Sequence, residues 1–220
     1  MLVKDVMTEN PITIGPEASV LEAKETMSRN KIKKLPVVDR SGALVGIITN
    51  TDLAKASPSA ATSLDMFELG YLLSKLSVEK TMVKSVKTTT ANQTVEEAAR
   101  LMNDYGISCL PVVKENLLVG VVTESDLFAT FIDMFNTRTP GVRAVAVVNE
   151  IPGELAKLAA AIAEKNGNIV SLVTSDASDS KHRTVTVKVS NISEAELKSL
   201  LEANNAEIID IRKKKKKLFA

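Results

Sequence analysis

Hydrophobic and polar positions follow the same order twice in the first 131 residues. The stretch GIITNTDL at 46–53 returns as GVVTESDL at 120–127, and LPVV at 35–38 returns as LPVV at 110–113. The spacing between the copies shortens by one residue where DRSGAL becomes KENLL, and a turn tolerates such a deletion. The pattern predicts two copies of one folded unit, at 1–57 and 78–131.

Each copy predicts a short strand, a helix and two further strands. The short strands are expected at Ile12–Ile14 and Val86–Thr88. Ser19-x-x-Glu22 and Thr94-x-x-Glu97 are capping boxes that open the helices, whose apolar residues then recur at helical spacing. The strands LPVV and LVGII or LVGVV follow in each copy.

A hydroxyl and a carboxylate end each copy. Thr49 and Thr123 close the last strands, and Asp52 and Asp126 follow where a helix is expected to begin. Free N–H groups at a helix start attract phosphate, and a carboxylate accepts hydrogen bonds from vicinal ribose hydroxyls. The same residue types are also ordinary helix caps, and capping does not exclude binding.

Both copies resemble the cystathionine-β-synthase (CBS) domain family. The matching stretches are VMTENPITI, IKKLPVVD and GIITNTDL in the first copy, and TMVKSVKTT, ISCLPVV and GVVTESDL in the second. The resemblance implies a pseudo-symmetric pair with clefts between the copies, which in this family often hold adenosine compounds. AMP, ADP, ATP and S-adenosylmethionine all remain open as the regulatory ligand, and no obligatory cofactor is expected.

The resemblance also implies roles for individual residues. Asp52 and Asp126 would bind ribose hydroxyls, and Thr49 and Thr123 would bind phosphate or ribose. The other residues implied to bind the nucleotide are Pro11, Ile12, Ile32, Lys33, Asn50, Thr51, Val86, Lys87, Ile107, Ser108, Glu124 and Ser125. The sequence leaves open which copy's aspartate faces which copy's leading strand.

The copies differ in charge before their LPVV strands, where KIKK at 31–34 corresponds to GISC at 106–109. Because lysine attracts phosphate, the cleft lined by Lys33 is predicted to prefer a phosphorylated adenosine, and the other to take a less anionic ligand or stay empty. The alternative is a solvated lysine surface. Cys109 is expected to pack as a small apolar residue rather than act as a sensor.

Two linkers and a third domain complete the predicted organisation. Residues 58–77 predict a linker with a docking helix from Phe67 to Leu76, and residues 132–141 predict a second linker. Residues 142–212 predict the order β-α-β-β-α-β, which is the ferredoxin-like arrangement. The predicted fold class is therefore α/β (α+β), two CBS-type units and a ferredoxin-like domain.

The third domain resembles the ACT family of regulatory modules in the stretch VAVVNEIPGELAKLAAAIAEKNGNIVSL at 145–172. The resemblance implies an amino-acid effector site at an interface of two such domains, formed by Asn149, Ile151, Gly153 and Leu155. The alternative is that Pro152-Gly153 only forms a tight helix start. Two CBS copies followed by ACT resemble the acetoin-utilization regulatory protein family over nearly the whole chain.

Composition argues against several other functions. One histidine and one cysteine make a His/Cys zinc site or a Cys–His nucleophile improbable, and the chain contains no GxxxxGK[ST] and no GxGxxG. A net charge of +1 and 3% aromatic residues argue against nucleic acid, so the basic tail at 213–220 is expected to be a solvated end. With no signal-like or membrane-spanning apolar run, a cytoplasmic protein is expected.

The sequence as a whole predicts a non-enzymatic sensor with no catalytic residues and no metal. Adenosine ligands would shift the packing of the two copies, and the third domain would relay or co-sense the signal to an unknown protein target. A homodimer through the CBS pair is expected, with the third domains pairing as a second contact. The alternative is a ligand-independent regulatory or scaffold subunit of a metabolic enzyme.

Overall fold

The computed structural model describes residues 1–56 and 66–214. The chain divides into two compact units, Met1–Leu127 and Phe128–Ala220. The first part of the predicted linker at 58–77 and most of the basic tail at 213–220 lie outside the described residues.

The first unit contains the two repeated copies. After a 3-10 turn at Val3–Asp5, its elements in chain order are β1 (Thr8–Glu9), α1 (Val20–Asn30), β2 (Lys34–Val38), β3 (Leu44–Thr49), α2 (Asn50–Ala56), α3 (Met66–Lys75), α4 (Val78–Thr81), α5 (Val95–Tyr105), β4 (Cys109–Lys114), β5 (Leu117–Thr123) and the start of α6 (Glu124–Met134). The helix predicted at Phe67–Leu76 is α3, displaced by one residue.

The predicted short strands are reduced to single bridges. Ile14 bridges Val37 in parallel, and Thr89 bridges Val112 in the same way. If the parallel pairing continued to Ile12, the N–H of residue 36 would have to donate to the Ile12 carbonyl, but residue 36 is a proline and has no N–H. Pro111 prevents the same extension in the second copy. The segments at 12–14 and 86–88 therefore run beside the sheets without forming strands.

Helices α1 and α5 begin as their capping residues predict, with one difference. Thr94 and Glu97 form the complete reciprocal box. In the first copy Ser19 accepts the N–H of Glu22 at 3.1 Å, which is half of the box. Lys31 then ends α1 in the left-handed conformation at φ 54°, where the second copy has Gly106 at φ 61°.

The two copies exchange their leading segments. Strand β1 leads into the first copy but pairs antiparallel with β5 of the second, where Thr8 faces Val121. By the repeat's own correspondence, Val83 leads into the second copy and bridges Ile47 in β3 of the first. Each sheet is therefore completed by the chain that precedes the other copy.

The exchange continues into the cores. Val3 is completely buried in the core of the second copy, and Val78 is completely buried in that of the first. Their N–H groups donate to the carbonyls of Gln93 and Ala18, both at 2.8 Å. Burying a valine contributes about 1.5–3 kcal/mol, so the exchanged residues help hold the copies together.

The glycine that opens each repeated eight-residue stretch has a packing role in this exchange. A β-carbon on Gly120 would lie 2.7 Å from Sδ of Met7, and one on Gly46 would collide with the side chain of Met82. Met7 and Met82 are corresponding residues of the two exchanged segments. Glycine is therefore required where the incoming methionine crosses the strand.

The second unit contains β6 (Gly141–Asn149), α7 (Glu154–Glu164), β7 (Asn168–Asp176), β8 (His182–Ser190), α8 (Glu194–Ala203) and β9 (Glu207–Lys214). Its four strands form one antiparallel sheet in the order β7-β8-β6-β9. The element order matches the predicted β-α-β-β-α-β. Alternate residues of β6 are buried against α7 and α8, which cover one face of the sheet.

Candidate functional site

Two clefts lie between the copies, and each combines parts of both. Cleft A is formed by residues 47–55 of the first copy with residues 83–87 and 106–109 of the second, together with Lys33 and Lys34. Its volume is about 650 Å³. That volume lies within the range of small-molecule sites.

Cleft B is the corresponding space on the other side of the repeat. Residues 121–125 of the second copy face Thr8, Pro11 and Ile12 and residues 31–36 of the first, together with Ser108 and Cys109. Its volume is about 600 Å³. Each cleft therefore places the threonine of one copy opposite the leading segments of the other, which settles the pairing that the sequence left open.

The Thr–Asp pairs are built alike in both copies. The Thr49 N–H and hydroxyl donate to the same oxygen of Asp52, Oδ2, at 2.9 and 2.7 Å. The Thr123 N–H and hydroxyl donate to Oδ2 of Asp126 at 2.8 and 2.7 Å. Each aspartate is the third residue of the helix after the strand and accepts from the threonine before that helix, so the pair forms a capping box that fixes the threonine at the cleft wall.

Asp52 keeps one oxygen outside this cap. Within the described residues its hydrogen bonds from Thr49 both end on Oδ2, and Oδ1 receives none. The carboxylate is half-buried in the wall of cleft A. It can accept a hydroxyl of a bound molecule while it continues to cap α2.

The structure places the sequence-predicted residues in two groups. Cleft A brings together Thr49, Asn50, Thr51, Asp52, Val86, Lys87, Ile107 and Ser108. Cleft B brings together Pro11, Ile12, Ile32, Lys33, Thr123, Glu124 and Ser125. Asp126 does not line cleft B; it supports the wall through its hydrogen bonds to Thr123.

Three lysines of the clefts were absent from the predicted set. Lys34 lines both clefts, Lys31 lines cleft B, and Lys55 lines cleft A. Lys55 follows Asp52 by three residues, and side chains at that spacing share one face of a helix, so the sequence carried a signal for it. Lys33 and Lys34 are adjacent at the start of β2, where successive side chains are expected on opposite sides of the chain. Both line the clefts because of the exchanged packing, which the sequence does not reveal.

Lys33 lines both clefts, so a difference in ligand preference cannot rest on Lys33 alone. Lys33 and Lys34 lie where the two copies meet, beside their counterparts Ser108 and Cys109. The ammonium group of half-buried Lys34 donates a hydrogen bond to the Ser108 hydroxyl. The positive charge supplied by the first copy therefore serves both clefts.

Cys109 lies at the floor of both clefts as a buried thiol. Burial raises its pKa from 9.0 to about 11, against the opposing effect of nearby Lys34. The thiol is therefore neutral at physiological pH and weakly nucleophilic. This agrees with the expected role as a small packing residue.

In the second unit, the predicted effector residues Asn149, Ile151, Gly153 and Leu155 line one cavity of about 370 Å³. Gly153 has φ 90° and precedes α7, a conformation that favours glycine. Arg183 lies in the same wall and pairs with Glu150, and this hydrogen bond raises the pKa of the guanidinium. A tight helix start and a cavity therefore occur together at this turn.

In residues 1–56 and 66–214 no group of three His, Cys, Asp or Glu side chains could hold a metal ion. Within the same ranges no helix has the length and apolar character needed to cross a membrane.

The family model described as CBS domain matches residues 3–59 and 77–133, which together make up half of the chain. The chain belongs to the CBS domain family. The two matched segments are the two copies whose exchanged packing forms clefts A and B.

Solved structures similar to this chain include CBS domain pairs. A Vibrio cholerae protein assigned to acetoin utilization (AcuB) is 28% identical over 63% of this chain and 95% of its own, with a TM-score of 0.53. A CBS domain pair in complex with methylthioadenosine and S-adenosyl-L-methionine is 35% identical over 60% of this chain and 95% of its own, with a TM-score of 0.50. CBSX2 in complex with AMP is 30% identical over 60% of this chain and 96% of its own, also with a TM-score of 0.50.

The first curated relatives are longer than this chain. The L-aspartate semialdehyde sulfurtransferase of Methanocaldococcus jannaschii is 35% identical over 131 residues, which are 59% of this chain and 23% of that protein. The chain spans 23% to 36% of the first curated relatives it matches. The enzyme names of these relatives therefore describe whole proteins, and the part that matches this chain is the smaller part of each.

Proposed function

We propose that this chain is a regulatory sensor whose CBS pair binds adenosine compounds in clefts A and B and relays their presence to a protein partner. The observation that carries the proposal is the construction of each cleft from both copies. A ligand that touches both copies can favour one arrangement of the pair over another through its differential affinity.

The chemistry of the cleft walls supports an adenosine ligand. Asp52 offers a carboxylate oxygen for ribose hydroxyls, and Lys33, Lys34 and Lys87 offer positive charge for phosphate. Ile107 and Val86 offer half-buried apolar surface of the kind that a purine ring covers. Neighbours at 30% and 35% identity were solved with AMP and with S-adenosyl-L-methionine, which supports the same ligand class here.

The test is calorimetric titration of the full chain with AMP, ADP, ATP, S-adenosylmethionine and methylthioadenosine. Asp52→Ala should lose one binding site, because it removes the carboxylate from cleft A. Asp126→Ala should weaken the other site, because Thr123 loses the acceptor that holds it in cleft B. The folded state of each variant is checked by far-UV circular dichroism.

Asp39→Ala is the matched control. Asp39 also caps a backbone turn, since its Oδ1 accepts the N–H groups of Ser41 and Ala43 at 2.8 and 3.0 Å, but it lines neither cleft. It should reduce stability and leave every ligand affinity unchanged. Binding of no adenosine compound to folded wild-type protein would overturn the proposal and favour a ligand-independent scaffold.

We also propose that the second unit senses an amino acid, as an ACT-type module. Asn149, Ile151, Gly153 and Leu155 share one cavity whose wall includes Thr174 and Arg183, groups able to contact a polar ligand. Titration with the standard amino acids tests this, with Gly153→Val as the variant that should abolish binding. If no amino acid produces a heat of binding, the amino-acid proposal is wrong, and the second unit keeps only a role in relaying the signal.

A homodimer is part of the proposed assembly. Phe128, Phe131 and Met134 lie at helical spacing on α6 with 67%, 56% and 53% of their surfaces exposed. Such an apolar stripe is typical of a protein interface. Sedimentation equilibrium should show a dimer that Phe131→Glu weakens, and a monomeric wild-type protein would contradict the assembly.

A further inference from the structure

We propose that clefts A and B select their adenosine ligands by charge, with A specific for a polyphosphate and B for a ligand of little or no negative charge. The inference rests on the proposed function, because it assigns a ligand class to each of the two clefts. It names the residues that distinguish two otherwise equivalent sites.

The charged groups that line the clefts differ. Lys33 and Lys34 are common to both. Cleft A adds Lys55, Lys87 and Asp52, whereas cleft B adds Lys31 and Glu124. Asp126 stands directly behind the wall of cleft B through Thr123, so its charge also acts there.

The pseudo-symmetry shows which differences matter, because corresponding residues occupy corresponding places. Asn50 in cleft A corresponds to Glu124 in cleft B, and both directly follow the strand-ending threonine. Lys87 of cleft A corresponds to Ile12 of cleft B. At both positions the group in cleft A is more positive than its counterpart.

Lys87 is also held in position. Its ammonium group lies 4.2 Å from the centre of the Tyr105 ring, a cation–π contact that keeps the charge beside cleft A. Ile12, its counterpart, presents a neutral side chain that is 41% exposed. A polyphosphate in cleft A would therefore lie beside the positively charged Lys87. In cleft B the corresponding neighbour would be the uncharged Ile12.

The Glu124 carboxylate would repel a bound anion in cleft B, whereas the Asn50 amide at the corresponding place in cleft A can donate a hydrogen bond to an anion. Both side chains are exposed, so exchanging them should not disturb the fold. One unit charge a few ångströms from a phosphate at a hydrated site changes affinity by about fivefold, and more for a multiply charged ligand.

The test exchanges these counterparts in the full chain. Wild type, Asn50→Glu and Glu124→Asn are titrated with ATP and with methylthioadenosine at low salt. Asn50→Glu should weaken the tighter ATP site about tenfold, and Glu124→Asn should strengthen the weaker ATP site by a similar factor. Neither variant should change methylthioadenosine affinity, because that ligand carries no phosphate.

Two controls sharpen the result. Glu25→Gln removes an exposed negative charge on α1 that lines neither cleft, and it should leave the ratio of ATP to methylthioadenosine affinity unchanged. Raising the salt from about 50 to about 300 mM should reduce the difference between the two ATP sites.

The outcomes separate the two proposals. If methylthioadenosine binds but both exchange variants keep the wild-type ATP affinities, selection by charge is wrong and the adenosine-sensor function stands. If neither ligand binds the folded wild-type chain, the proposed function itself fails. Changes of the predicted sign in both variants support the inference.

Discussion

Replacing Gly120 with alanine places a methyl group where the exchanged segment of the first copy crosses β5. The new β-carbon would lie 2.7 Å from Sδ of Met7 and 3.1 Å from the carbonyl oxygen of Thr8. Carbon and its neighbours normally pack at about 3.5–4 Å, so both contacts are too short. Met7 can rotate, but the Thr8 backbone is held by its pairing with Val121.

The expected cost is about 2–3 kcal/mol, the upper part of the range for overpacking a well-packed site. Gly46→Ala should cost less, about 1–2 kcal/mol, because the three atoms nearest to its β-carbon all belong to the flexible side chain of Met82. Gly70→Ala is the control: Gly70 lies within α3, and among the described residues no atom outside its chain neighbours and its own helix backbone comes within 4 Å of an added β-carbon. That substitution should stabilise by roughly 0.5–1 kcal/mol.

Urea unfolding followed by tyrosine fluorescence measures these costs selectively. The chain has no tryptophan and two tyrosines, Tyr71 and Tyr105, both in the first unit. A double-mutant cycle with Met82→Ala should recover most of the strain of Gly46→Ala, whereas Met7→Ala should recover part of that of Gly120→Ala.

Two results would refute the reasoning. Gly120→Ala within about 0.5 kcal/mol of wild type would mean that the crossing segment is not held against β5. Complete rescue by Met7→Ala would mean that the Thr8 carbonyl does not contribute.

Three further predictions follow from local geometry. Lys31→Gly should stabilise the first unit by about 0.5–1 kcal/mol in the same urea assay, because Lys31 has the left-handed conformation that its counterpart Gly106 adopts without strain. Cys109 should react with iodoacetamide at pH 8 at least about a hundredfold more slowly in folded than in urea-unfolded protein, because burial raises its pKa from 9.0 to about 11; equal rates would contradict this. The Ser193 hydroxyl and N–H donate to Glu196 and lower its pKa below 4.5. Ser193→Ala should therefore raise the pKa of Glu196 in an NMR titration, and the contribution of this cap should be lost as pH falls through the folded-state pKa; an unchanged midpoint would show that the hydroxyl does not hold the carboxylate.

Much of the fold follows from the sequence because the signals are local. Helices α5 and α8 begin at the boxes Thr94–Glu97 and Ser193–Glu196, since a cap requires residues three positions apart and nothing distant. The repeat, the strands that end at Thr49 and the β-α-β-β-α-β order are likewise visible in hydrophobic spacing. The short strands predicted at 12–14 and 86–88 do not form, because Pro36 and Pro111 in the neighbouring strands have no N–H to extend the pairing beyond one bridge.

The candidate site divides in the same way. Asp52 and the residues near it could be named from one copy, because strand, threonine and aspartate are consecutive in the chain. Three features of the clefts could not be predicted from the sequence. Cleft A brings Asp52 together with Lys87, Lys33 lines both clefts, and Asp126 lies behind Thr123 instead of lining cleft B. Local patterns are the same whether the leading segments stay with their own copy or exchange.

Two copies of one unit, and the chemical groups that each copy presents, can be predicted from the amino-acid sequence alone. The tertiary structure decided which copy's groups meet, through Val3 and Val78 buried in each other's cores and methionines packed on Gly46 and Gly120. These contacts join residues far apart in the chain, and their free energy comes from burial across the two copies. Two copies with the same fold thus form two clefts of different charge, because each cleft is lined by a different combination of residues from the two copies.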